Sequence, residues 1–237
     1  MSSVQVEDVT KEYELGRTRV PALRGVSLQV EPGEFIAVAG PSGSGKSTLL
    51  NLIGCLDHPS SGRIRIGGQD VAALDDDALS DLRAHTIGFI FQTFNLIPVL
   101  SALENVEFPL LFRRGGGRSG RARARGVLEQ VGLAAFADHR PDELSGGQRQ
   151  RVAVARALVT DPMIVLADEP TANLDSATGE AIVSLMLEIN RRAGTTFIFS
   201  THDPRVMTHA QRVIRLEDGQ VVGQAQGLRM RDAEAGA

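Results

Sequence analysis

The stretch Gly40-Pro41-Ser42-Gly43-Ser44-Gly45-Lys46-Ser47 constrains this chain more than any other. It has the spacing G-x-x-x-x-G-K-[ST]. The apolar run Phe35-Ile36-Ala37-Val38-Ala39 before it reads as a buried parallel strand, and Thr48-Leu49-Leu50-Asn51-Leu52-Ile53 after it reads as the first turns of a helix. A strand, a glycine-rich turn and a helix start place several backbone N–H groups and the positive end of a helix dipole around one anion. The glycines permit backbone geometry that a Cβ would forbid. Lys46 is then placed to reach the β- and γ-phosphates of a nucleoside triphosphate, and the Ser47 hydroxyl to ligate Mg²⁺.

Three further buried strands are predicted, each with polar residues at its carboxyl end. Ile87-Gly88-Phe89-Ile90-Phe91 ends at Gln92, which suits Mg²⁺ ligation or the orienting of a water. Met163-Ile164-Val165-Leu166-Ala167 ends in Asp168-Glu169. Thr195-Thr196-Phe197-Ile198-Phe199-Ser200 ends near His202-Asp203. In open α/β sheets ligands bind outside the carboxyl ends of the strands, so these groups converge on one crevice. Two acids at a strand's end are costly to bury without a metal or a shared proton. Asp168 suits the Mg²⁺ shell, through Ser47 or water, and Glu169 suits a general base for the attacking water. His202 is placed to contact the γ-phosphate, although a lone histidine is more often structural.

Other stretches are more ambiguous. Residues 4–13 and 26–30 read as short strands joined by the turn-rich Gly16-Arg17-Thr18-Arg19. Tyr13 reads either as a half-buried edge-strand residue or as a platform for adenine stacking. Cys55 has no Cys or His at ligand spacing and reads as a packed thiol. Arg63-Ile64-Arg65-Ile66 alternates like a strand with one wet face. Asp75-Asp76-Asp77 reads as dipole partners at a helix start rather than as a metal cluster. Residues 93–100 are apolar and broken by Pro98, consistent with core packing or with a groove for a partner's helix.

Residues 101–160 read as mostly helical, with the basic, glycine-rich run from Arg113 through Arg121, Arg123 and Arg125 as a solvated loop. Within Leu144-Ser145-Gly146-Gly147-Gln148, glycines before a helix from Arg149 to Leu158 again offer N–H groups to an anion, and Ser145 adds a hydroxyl. Asp175 reads as the N-cap of a helix from about Ser176 to Arg192. Val213 to Val222 reads as a hairpin around Asp218-Gly219, with a polar tail from Gln224.

Composition narrows the function classes. No apolar stretch approaches the ~18 residues a membrane span needs, and the first residues show no basic-then-apolar leader. A net charge of −4 argues against nucleic acid as the main partner. The single cysteine fits a reducing compartment. Any work at a membrane requires another chain as the anchor.

In this order the motifs resemble the ATP-binding subunit of an ABC transporter: the phosphate loop, Gln92, 144–148, Asp168-Glu169, Asn173-Leu174-Asp175 and His202. The resemblance implies an α/β fold: a P-loop NTPase core with a parallel sheet, an N-terminal antiparallel β lobe and a helical subdomain. It implies one ATPase domain over 1–237, with 1–92 and 161–222 as core and β lobe and 93–160 as helical lobe. It implies ATP and Mg²⁺ as ligands and a head-to-tail dimer in which Ser145, Gly146, Gly147 and Gln148 of one copy close on ATP held by the other. Tyr13 then stacks on adenine, Asp175 contacts the second copy, and 93–100 receives a membrane permease subunit. The implied location is cytoplasmic, on the inner face of the cell membrane.

Ile53-Gly54-Cys55-Leu56-Asp57, Phe94-Asn95-Leu96 and Glu104-Asn105-Val106 resemble the macrolide-exporter and lipoprotein-release group, with Phe94-Asn95-Leu96 favouring the exporter branch. The alternatives are an importer subunit, or a soluble relative in DNA repair or translation. Repair members carry long coiled-coil or zinc insertions and translation factors carry two cores, and neither feature is present in these residues.

Overall fold

The computed structural model describes residues 2–16, 18–112 and 117–226. Arg17, Arg113 to Gly116 and the tail beyond Gln226 lie outside the described residues, and so do the expectations that fall on them.

Two sheets organise the chain. The first is antiparallel: β1 (Val4–Leu15) pairs with β2 (Thr18–Val30) and with β4 (Ser61–Ile66), whose far edge takes the two-residue β5 (Gln69–Asp70). The second strand begins at Thr18 rather than near residue 26. Register shifts within the β1–β2 pairing let the hairpin twist and remain paired along its length.

The second sheet has the order β10-β9-β3-β8-β7-β6. Its parallel strands are β3 (Phe35–Ala39), β6 (Ile87–Ile90), β7 (Ile164–Asp168), β8 (Thr196–Thr201) and β9 (Arg212–Glu217); β10 (Gln220–Gln226) returns antiparallel along β9. The closing hairpin thus extends through Gln224 to Gln226, where a loose tail was expected, because those residues pair with 212–214.

Alternation along the parallel strands divides the interior into two cores. Phe35, Val165, Ala167, Phe197 and Phe199 face one apolar cluster, while Ile36, Val38, Leu166 and Ile198 face the other. Successive strand side chains point to opposite faces, so a strand covered on both sides is apolar throughout. The second cluster joins the first sheet to α1 (Lys46–Ile53). The first cluster takes α3 (Ala102–Glu107), α4 (Gly117–Gln130), α5 (Gly146–Leu158) and α6 (Ser176–Ala193). The remaining helices are α2 (Asp76–Thr86), capped by Asp75, and α7 (Pro204–His209), capped by Asp203.

Two expectations are corrected here. The basic run from Gly117 onward is helical, and two of its arginines are paired: Arg121 with Glu107, and Arg123 with Asp161, Arg123 also donating to the Val159 carbonyl. α5 begins at Gly146 rather than Arg149. Ser145 and Gln148 form a reciprocal capping box there, which extends the helix across both glycines.

Candidate functional site

The site is assembled where β3, β7 and β8 end. After Ala39 the chain turns into α1 at Gly45, which has φ 100°. A Cβ on Gly45 would stand 2.5 Å from the Ala22 carbonyl oxygen, so a side chain is excluded by both conformation and space. The first turn of α1 has backbone N–H groups with no intrahelical acceptor, available to an anion held by the loop. Lys46 is 8% exposed, and its Nζ donates to the Gly40 and Pro41 carbonyl oxygens at 2.8 and 2.9 Å. An ammonium has three donors, so one remains for a phosphate oxygen.

Across the loop, Ser47 Oγ donates to Asp168 Oδ1 at 3.1 Å, and Ser200 Oγ donates to the same oxygen. Glu169 leaves the strand with φ 46°, a left-handed conformation uncommon outside glycine. Its amide donates to the Ser200 carbonyl at 2.9 Å. His202 Nδ1 donates to Glu169 Oε1 at 2.8 Å. The Glu169 side chain is 14% exposed, and its Oε2 is buried without a hydrogen-bond partner among the described residues. Burying a carboxylate oxygen unpaired is costly, so this atom is suited to accept a hydrogen bond from a bound water.

These groups line one cleft of about 600 Å³, shared by Pro41, Ser42, Gly43, Lys46, Ser47, Thr48, Gln92, Glu169 and His202. Ser44 is buried beneath the loop. The Gln92 carbonyl accepts from Asn173 Nδ2 at 2.8 Å, which ties the end of β6 to the turn before α6. The residues fit a triphosphate with a divalent cation. Backbone donors and the Lys46 side chain meet the anion, and the Asp168 carboxyl group lies beside the Ser47 hydroxyl for the metal.

Other predicted residues lie outside this cleft. Tyr13 is half-buried; its hydroxyl donates to Asp57 Oδ2 at 3.0 Å, and Lys11 Nζ stands 4.9 Å from its ring centroid. Burial and the neighbouring Asp57 raise its phenol pKa. Ser145 and Asp175 are the N-caps of α5 and α6. Segment 93–100 is only partly packed: Leu96 touches the core, whereas Val99 is 71% exposed. Phe94 and Asn95 have φ of 63° and 47°, and the Arg156 guanidinium donates to both of their carbonyls.

A second cleft of about 590 Å³ opens at the amino ends of β7 and β8. Its Arg123 is paired with Asp161 and its Arg192 with Gln130. Ligands of open parallel sheets bind at the other end, so the chemistry is placed at the first cleft.

Sequence reading missed Asn105, Arg156 and Arg205. Asn105 is fully buried, and its side chain accepts from Ile97 N while donating to the carbonyls of Ile97, Leu100 and Ser101. An asparagine between the buried-type residues Leu103 and Val106 of a short helix was the available signal for it; the two arginines gave none.

Comparison with known proteins agrees with this geometry. The profile described as ABC transporter matches residues 23–172. The lipoprotein-releasing system ATP-binding protein LolD of Anaeromyxobacter dehalogenans is 51% identical over 221 residues, covering 93% of this chain and 92% of that protein. The macrolide export ATP-binding/permease protein MacB of Syntrophobacter fumaroxidans is 50% identical over 221 residues. That alignment covers 92% of this chain, which spans only 31% of the MacB length. Near-equal identities to LolD and MacB do not favour the exporter branch over the release branch. Among solved structures, the dimeric post-hydrolysis state of the ATP-binding cassette MJ0796 bound to ADP and Pi superposes with a TM-score of 0.87 at 49% identity, covering 94% of this chain and 98% of that one. Fold, site order and sequence identity lead to one conclusion: the chain belongs to the ABC transporter family.

Proposed function

We propose that this chain is the ATP-binding and ATP-hydrolysing subunit of a membrane transporter of the macrolide-export or lipoprotein-release kind. The observation that carries this reading is the convergence of Lys46 and Ser47 from α1, Glu169 from the end of β7 and His202 from the end of β8 on one cleft beside a glycine loop. Bound ATP supplies the phosphoanhydride to be cleaved, and Mg²⁺ lowers the charge on its phosphate oxygens. Lys46 and the loop N–H groups hold the β- and γ-phosphates. Ser47 and Asp168, with Gln92, would hold the cation. Glu169 accepts the proton of the attacking water while His202, bonded to its Oε1, fixes its carboxylate and reaches the γ-phosphate. Tyr13 stacks on the adenine, its hydroxyl anchored by Asp57.

The dimeric state named for the MJ0796 neighbour supports a head-to-tail pair here. Ser145, Gly146, Gly147, Gln148 and Asp175 of one copy then close the site of the other, consistent with their position outside this chain's own cleft. Exposed Val99 and the Arg156-held turn at Phe94-Asn95 support docking of a permease subunit at 93–100. No helix among the described residues is long and apolar enough to cross a membrane; docking at 93–100 would place this chain at the inner face.

The test is Glu169→Gln. Turnover is expected to fall by about 10²–10⁴-fold, with ATP affinity retained. Full activity in that variant overturns the assignment.

A further inference from the structure

We propose that Arg205 is a positioning residue for hydrolysis, locking the strand ends that carry Glu169 and His202 to each other and to the start of α6. This rests on the ATPase reading above. Three segments meet at this side chain. Asp203 follows His202 directly, and Thr171 stands two residues past Glu169. Thr171 Oγ1 donates to Asp203 Oδ2 at 2.6 Å in a buried contact. Asp203 N donates to Thr201 Oγ1 at 2.9 Å, which fixes the turn out of β8.

The guanidinium then grips the same carboxylate. Arg205 Nε lies 2.9 Å from each Asp203 oxygen and Nη2 lies 2.6 Å from Oδ2, while the Arg205 amide donates to Oδ1 at 2.9 Å. The remaining nitrogen, Nη1, reaches α6 and donates to the Ser176 carbonyl at 2.9 Å and the Asp175 carbonyl at 3.5 Å. A planar guanidinium fork fixes orientation as well as distance, which a lysine ammonium does not.

Gly179 makes room for this arrangement. A Cβ on it would stand 2.6 Å from Arg205 Nη1 and 3.0 Å from Cζ. The 2.8 Å bond between His202 and Glu169 therefore depends on backbone spacing that Asp203, Thr171 and Arg205 hold from behind. Misplacing a reacting group by about 1 Å can cost 10²-fold in rate.

The experiment compares Arg205→Met, Arg205→Lys and Gly179→Ala with wild type in the full chain. Gly179→Ala keeps every charge and only displaces the guanidinium, so it guards against a folding defect in Arg205→Met. In Arg205→Met and Gly179→Ala, kcat is expected to fall about 10-fold or more, with KM and trinitrophenyl-ATP affinity within about twofold of wild type. Arg205→Lys is expected to recover only part of the loss. The side-chain ¹⁵N signals of His202, readable without turnover, are expected to shift in both defective variants.

A folded Gly179→Ala protein with wild-type kcat and unshifted His202 signals overturns the proposal. So does a loss of kcat matched by an equal loss of nucleotide affinity. A wild-type protein that does not hydrolyse ATP counts against the ATPase reading, while the His202 signals still decide the role of Arg205.

Discussion

His202 Nδ1 and Glu169 Oε1 stand 2.8 Å apart, joining an imidazole that is 71% exposed to a carboxylate that is 14% exposed. The bond occupies one carboxylate oxygen and leaves Oε2 buried without a hydrogen-bond partner among the described residues. His202→Ala is expected to lower kcat by about 10²-fold and to change KM much less, because the carboxylate loses its orientation while the phosphate loop stays intact. Steady-state hydrolysis with ATP as the varied substrate measures this split.

The contact between Ser47 and Asp168 predicts a cation dependence. Chelation by EDTA is expected to stop turnover and added Mg²⁺ to restore it. Ser47→Ala and Asp168→Asn should each raise the Mg²⁺ concentration for half-maximal rate by about 10-fold, since the first removes an oxygen ligand and the second the charge of the carboxylate. A titration of rate against free Mg²⁺ reads the shift.

Asn105 holds segment 97–101 through four side-chain hydrogen bonds while fully buried. Asn105→Ala leaves several backbone groups of that segment without partners and is expected to cost about 2 kcal/mol of stability. The midpoint of urea unfolding should fall accordingly, with catalysis in the surviving folded protein close to wild type.

Acid stability should depend on Asp203. Burial would raise its pKa, but hydrogen bonds from Arg205 and Thr171 outweigh it and hold the carboxyl at about 2. The unfolded chain takes up this proton more readily than the folded one. The resulting stabilisation, about 2 kcal/mol, is complete above pH ~4 and is lost as pH falls toward 2. Arg205→Met removes part of it, so its stability deficit should narrow below pH ~4. Thermal midpoints across pH 2–7 would show whether it does.

Burial pushes the Cys55 thiol up to about 11. With no thiolate at neutral pH and little access, maleimide labelling is expected only after unfolding. Rapid labelling of the native protein would contradict the packing around 52–55.

Much of this was legible in the chain itself. The strand before the phosphate loop, the loop, and the acids at 168–169 follow from short windows in which residue type and two-residue period decide local conformation. The hairpin at 218–219 and the acidic helix start at 75–77 are equally local. The start of α5 was misplaced because glycines predict loop, whereas the Ser145–Gln148 capping box overrides that preference. The helix at 117–130 was missed for a related reason: Arg121 and Arg123 are paired with Glu107 and Asp161, residues distant in sequence.

The sequence by itself determined which segments become the parallel strands, where the glycine loop stands, and which polar side chains gather at the strand ends. Only the tertiary structure decided that β3 lies between β8 and β9, because buried parallel strands are apolar on both faces and carry no mark of their neighbours. It alone brought His202 onto Glu169, and Arg205 onto the first turn of α6. Those distances are set by contacts between residues some thirty positions apart, which no local pattern encodes.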